Sequence, residues 1–176
     1  LSGRRFLGFN NDCTLAVCEP TENADWFYRN GQADELVFVH HGTGTLETMY
    51  GDLNFHPGDY VVIPKGVTHR WRFTGDRTKL LVIESSGPIE TPKHFRNSYG
   101  QLLEHAPYCE RDIRPPDWRE PVDESGSFAV KIKMGQKLQP CELAHHPFDL
   151  VGWDGCYYPW IFNIGNFMPA VGKVHL

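Results

Sequence analysis

Along the first 86 positions, short apolar runs are each cut off by turn-forming residues, a texture that predicts successive strands rather than helices. Leu15-Ala16-Val17-Cys18 is followed by a polar break at 19–23 and the aromatic cluster Trp26-Phe27-Tyr28. Leu36-Val37-Phe38-Val39 is a β-type run ended by His40-His41-Gly42. Residues 45–50 then meet 53–55 across Gly51-Asp52, where glycine supplies the positive φ that a tight hairpin needs. After the turn at 56–59, the β-branched run Tyr60-Val61-Val62-Ile63 is halted by Pro64. Residues 69–73 alternate in character, Gly75-Asp76 turns, and 79–84 runs out again. Seven or eight strands this close together predict an antiparallel barrel or sandwich.

From 87 onward the texture changes. The stretch 98–105 predicts a short helix with Ser98 as its cap. Pro107, Pro115, Pro116 and Pro121 then fall among mixed charges, which predicts a long crossing loop over 105–125. Residues 127–134 alternate with period two, as a strand with one wet face does. The remainder is dense in aromatics: Phe148, Trp153, Tyr157, Tyr158, Trp160, Phe162 and Phe167. So many rings exceed what an exposed surface tolerates, so 148–167 is expected at an inter-domain or intersubunit surface. The expected organisation is a barrel over 1–86, a connecting segment over 87–125, and a strand plus aromatic segment over 126–176.

Composition narrows the function. With 17 Gly and 13 Pro in 176 residues, turns are favoured over a helical bundle. A net charge of -5 gives no basic face for nucleic acid. No apolar run is long enough to cross a membrane as a helix, and the N-terminus lacks the apolar core of a signal peptide, so a cytoplasmic location is expected. Cys13, Cys18, Cys109, Cys141 and Cys156 are odd in number and scattered, which argues against a disulfide scaffold or thiolate zinc site and predicts buried free thiols. The chain starts on Leu1 without Met and stops at 173–176 without a closing element, as a fragment of a longer protein would.

One constellation carries chemistry. Gly58, Pro64, Gly66 and His69 follow G-x5-P-x-G-x2-H, which resembles the second motif of the cupin superfamily; Glu35 and Gly42 fit the E-x6-G end of the first. In cupins the corresponding Glu and His are metal ligands. The His-x-His pair that completes such a site is missing, because its positions hold Tyr28 with Asn30, or Arg29 with Gly31. Glu35 and His69 leave two protein ligands, below the three that an open catalytic site keeps. They are therefore expected to hydrogen-bond inside a closed barrel. His40-His41 would point to opposite faces of a strand, and His145-His146 has the same limitation unless a loop aims one ring. No nucleophile elbow, phosphate loop or dinucleotide fingerprint is present.

Two longer blocks resemble one family, the homogentisate 1,2-dioxygenases, especially their bacterial branch. The first is Asp34-Glu35-Leu36-Val37-Phe38-Val39-His40-His41-Gly42-Thr43-Gly44-Thr45-Leu46-Glu47, continuing through Phe55-His56-Pro57-Gly58-Asp59-Tyr60-Val61-Val62-Ile63-Pro64-Lys65-Gly66. The second is His145-His146-Pro147-Phe148-Asp149-Leu150-Val151-Gly152-Trp153-Asp154-Gly155, then Tyr158-Pro159, Asn163 and Asn166-Phe167-Met168. The resemblance implies a mainly β, cupin-type antiparallel barrel or jelly roll. It also implies a non-haem Fe(II) enzyme that opens the ring of homogentisate with O2 to give maleylacetoacetate in tyrosine and phenylalanine breakdown. Such proteins hold iron by two His and one Glu in a C-terminal half that this chain lacks, so no catalytic, cofactor-binding or metal residue is assigned here, and this segment alone is expected to be inactive. Implied partners are an aromatic small molecule, O2 and further copies of the chain in trimers or hexamers. Two rivals remain: a non-catalytic degenerate cupin acting as a ligand-binding or structural module, and a cupin enzyme with another aromatic substrate.

Overall fold

The computed structural model describes residues 3–168 of the 176-residue chain, so the end of the expected third segment, 169–176, lies outside the described residues. Its strands are β1 (Arg5–Phe9), β2 (Cys13–Cys18), β3 (Phe27–Asn30), β4 (Asp34–Thr48), β5 (Gly51–Phe55), β6 (Asp59–Ile63), β7 (His69–Ser85), β8 (Ile113–Arg114), β9 (Ser125–Met134), β10 (Lys137–His145) and β11 (Trp160–Asn163). Helical structure among the described residues is confined to three-residue 3-10 turns at Lys93–Phe95, Glu110–Asp112 and Ile164–Asn166. The protein is mainly β, as its sequence predicts.

The framework is the antiparallel pair β4 and β7, which runs from Asp34 opposite Ser85 to Thr48 opposite His69. Both strands are long, and register shifts around His41 kink the pair midway, so its two ends join different neighbours. The first half of β4 pairs with β6, from Glu35 opposite Ile63 to Phe38 opposite Tyr60. The second half forms a hairpin with β5. β2 covers the far end of β7, from Cys13 opposite Ser85 to Cys18 opposite Leu80. Inward positions of these strands fill the core with Val37, Val39, Leu46, Phe55, Val61, Ile63, Trp71, Leu80 and Val82.

Several boundaries differ from expectation. The breaks expected at His40-His41-Gly42 and Gly75-Asp76 lie within continuous strands: Gly42 and Gly75 take φ of 101° and 115°, so the chain kinks without leaving the ladder. The β4–β5 turn falls at Met49 and Tyr50, two residues early, because Thr48 Oγ1 accepts from Tyr50 N and donates to the Gly51 carbonyl. No helix forms over 98–105. Instead Asn97 Oδ1 accepts from the amides of Tyr99 and Gln101, Gly100 adopts φ of 84°, and Arg96 bridges Leu102. An asparagine that takes backbone amides for itself denies them to a helix.

The expected loop over 105–125 carries the Glu110–Asp112 turn, β8, and a bridge from Asp117 to Asp52. Beyond it, β9 lies parallel to β3, from Phe27 opposite Val130 to Asn30 opposite Lys133, and forms a hairpin with β10. β11 pairs with β6 on one edge and β8 on the other. Strands from both sides of residue 86 thus share one sheet. All five cysteines are free, but only Cys18 is buried; Cys13 and Cys156 are exposed, the latter within the exposed stretch 151–157. The expectation of buried thiols therefore holds only for Cys18: Cys13 starts a strand at its solvent end, Cys109 and Cys156 sit in loops, and Cys141 lies in the mostly exposed β10. No helix among the described residues is long and apolar enough to cross a membrane.

Candidate functional site

The positions that a metal-binding cupin would use converge on a buried polar cluster. Period-two alternation puts Glu35 on the face of β4 that buries Val37 and Val39, and Glu84 on the face of β7 that buries Leu80 and Val82. The two glutamates are directly opposite in the β4–β7 ladder. Like charges so placed repel, and both are almost fully buried, so donors must surround them.

Donors come from three strands and from Arg4. Arg4, just ahead of β1, donates from Nη2 to both Glu35 oxygens at 3.1 and 3.2 Å and from Nη1 to Glu84 Oε1 at 2.9 Å. Tyr28 and Asn30, alternate residues of β3, donate to Glu35 Oε1 at 2.9 Å each, and Asn30 Nδ2 also reaches Glu84 at 2.8 Å. Thr14 Oγ1 of β2 and Lys133 Nζ of β9 donate to Glu84 Oε2.

Burial alone would raise the Glu35 carboxyl, yet the Arg4 guanidinium and the hydrogen bonds from Asn30 and Tyr28 hold it well below the usual carboxylate range. Burial also opposes charge on Arg4, and the facing Glu35 and Glu84 more than offset it. The Tyr28 phenol is driven upward by burial and by Glu35, so it stays a donor.

His69 is fully buried beside this cluster, its ring edge-on to Tyr28 at 5.2 Å. Its Nδ1 lies 3.0 Å from the Val67 carbonyl, which can only accept, so Nδ1 carries the proton and Nε2 presents a bare lone pair without a hydrogen-bond partner. Burial pushes the imidazole below its ordinary value despite the pull of Glu35, which keeps it neutral.

A metal does not fit this arrangement. His69 Nε2 has the lone pair of a ligand, but the Glu35 oxygens are taken up by Arg4, Tyr28 and Asn30, and the latter two stand where two imidazoles would be needed. Among the described residues, no group of three or more His, Cys, Asp or Glu is placed to hold a metal ion.

The other histidines lie apart. His40 and His41 are exposed, and His145 is an exposed residue whose Nδ1 approaches Ser125 Oγ at 3.3 Å. His146 packs edge-on against Phe27, Phe128 and Phe148. A cleft of about 150 Å³ is lined by residues that include Trp26, Tyr28, Arg70, Trp71 and Phe73. The aromatic segment divides: Phe148 and Phe162 are buried within this chain, whereas Trp153, Tyr157 and Phe167 are exposed.

Sequence reasoning found Glu35 and His69 and missed Arg4 and Glu84. Glu84 shares the parity of Leu80 and Val82, a signal that a buried acid stands there; nothing local marks Arg4.

Residues 14–164 match the model of the family described as Homogentisate 1,2-dioxygenase N-terminal. A protein of Saccharolobus solfataricus, which carries a provisional dioxygenase name with no substrate in it, is 38% identical over 170 residues, covering 96% of this chain and 44% of its own length. Homogentisate 1,2-dioxygenases of Rhodopseudomonas palustris and Emericella nidulans are 30% and 29% identical, each match covering 80% of this chain and 31% of the relative. The chain thus spans less than half the length of these curated relatives. Among solved structures, a cupin-2 domain containing protein from Shewanella frigidimarina aligns with a TM-score of 0.43 at 23% identity, over 48% of this chain and 80% of that one.

Proposed function

Because the chain belongs to the homogentisate 1,2-dioxygenase N-terminal family, we propose that it forms the N-terminal half of an Fe(II)-dependent ring-cleaving dioxygenase that converts homogentisate and O2 to maleylacetoacetate in tyrosine and phenylalanine catabolism. The observation that carries dioxygenase chemistry is the family match across nearly the whole chain. The choice of homogentisate rests on the named bacterial and fungal relatives, while the archaeal relative leaves another aromatic substrate as the second reading.

In this reading Fe(II) would be held by residues outside these 176 and, when bound, would supply the redox chemistry that joins O2 to the substrate. This chain's barrel is scaffold. Its interior is closed by the Arg4–Glu35–Glu84 cluster, and the exposed part of the aromatic segment, with Val151, Trp153 and Tyr157, is the face on which it meets the rest of the protein or a neighbouring copy. The test is a side-by-side assay of homogentisate, gentisate and 3-hydroxyanthranilate with the full-length, iron-loaded protein. Ring cleavage and O2 consumption with homogentisate in preference to the other two are expected. Turnover of either rival instead, or of none, overturns the assignment.

A further inference from the structure

We propose that the barrel interior is a cation-binding site whose resident ligand is the chain's own Arg4 guanidinium, held on the carboxylate that a cupin-type barrel would give to a metal ion. The shape of the site selects this group. Two buried carboxylates face each other across β4 and β7, and a planar fork spans both at once: one nitrogen takes both oxygens of Glu35 and the other takes Glu84. A lysine ammonium, a point charge, cannot bridge them in this way; Lys133 touches only Glu84.

The remaining neighbours suit a hydrogen-bonding organic cation. Tyr28, Asn30 and Thr14 all donate to the carboxylates, which fixes the oxygens in place while leaving the negative charge for the guanidinium, and at Glu84 also for Lys133, to neutralise. A metal would need further lone pairs beside that of His69, and β3 offers a phenol proton and an amide nitrogen instead. The barrel interior therefore recognises a cation, and the class of cation it suits is a guanidinium supplied in cis rather than a metal ion. A cleft of about 180 Å³ between Gly3, Phe6, Lys133 and Leu138 reaches Arg4, giving a small solute a route to the site once the side chain is truncated.

The experiment compares thermal melts of the parent chain and Arg4→Ala at constant ionic strength, with low-millimolar methylguanidinium, ammonium or Mn2+ added. Arg4→Ala is expected to lose about 10 °C, since it leaves two buried carboxylates short of a cation. Methylguanidinium should restore at least half of that loss and leave the parent unchanged, whereas ammonium and Mn2+ should not. Arg4→Lys should remain well below the parent. An Arg4→Ala variant that melts like the parent, that no cation restores, or that Mn2+ restores better than methylguanidinium overturns the proposal. If that variant does not fold, the parent decides. Its Arg4 Nη protons should give separate, slowly exchanging NMR signals, and a single averaged signal like that of a solvent-exposed arginine overturns the assignment.

Discussion

Gly44 shows how a single missing side chain shapes the barrel. A Cβ there would stand 2.0 Å from the Arg72 carbonyl oxygen and 2.7 Å from the Phe55 ring, whereas at Gly66 nothing lies within 4 Å and only the positive φ of 85° is at stake. Gly44→Ala should therefore cost about 2 to 3 kcal/mol through forced repacking, against about 1 kcal/mol for Gly66→Ala, as read by urea denaturation. Sequence motifs pointed to Gly42, Gly58 and Gly66, all of which have positive φ, but could not reveal Gly44, whose constraint is the approach of another strand. His69 and Glu35 both sit below their ordinary values in the folded chain, so the unfolded chain binds more protons and stability must rise with pH through those ranges. The His69 contribution is complete above about pH 6.5 and fades as pH falls toward its lowered folded value; Glu35 is lost further into acid. His146, lowered by its burial and by Arg70, adds to the upper step. Melts at pH 7.5, 5.5 and 3.5 should fall progressively, and His69→Gln should shrink the first drop. Equal melting at 7.5 and 5.5 would contradict the neutral, buried state of His69.

β11 is the element that ties the late part of the chain to the early barrel. Asn163 Nδ2 donates to the buried Asp59 Oδ1 at 2.7 Å, and Arg114 at the end of β8 donates to Asp59 Oδ2. The Ile164 amide also donates to the Gly58 carbonyl. Asn163→Ala leaves Asp59 short of a partner and should cost about 1 to 3 kcal/mol, with faster amide exchange in β11 as the local signature. Protection of β11 equal to the parent would show that β6 pairing alone holds it. Neither β11 nor β10 was legible in the sequence. β11 is four residues inside an aromatic stretch whose spacing distinguishes no period, and β10 contains Pro140 and is mostly exposed, which a strand survives at the end of a sheet. β6 and the separate halves of β4 and β7 were legible because burial on one face forces the period-two pattern that a reader detects, whereas the joining of those halves through Gly42 and Gly75 was not.

At the scale of the molecule, the aromatic segment divides into a buried part and an exposed part that the sequence merged into one. Phe162 packs against Tyr108 at 4.9 Å and is buried in this chain, so Phe162→Ala should lower thermal stability by about 3 kcal/mol. Val151, by contrast, is 84% exposed, and Val151→Asp should leave the fold intact while weakening self-association of the full-length protein in light scattering. An unchanged assembly would remove this face from consideration as the contact. The parallel pairing of β3 with β9 carries a different consequence, for the order in which the chain is made. β3 emerges from the ribosome roughly a hundred residues ahead of its partner, and at about 5 to 20 residues per second its outer edge waits about 5 to 20 s for β9. Lys133, in β9, follows Glu84 by 49 residues, so Glu84 spends about the second half of that interval with one of its cationic partners still unsynthesised. The nascent barrel therefore passes through a period with an open strand edge and an incompletely neutralised acid pair, when a chaperone or a slow codon has most to protect.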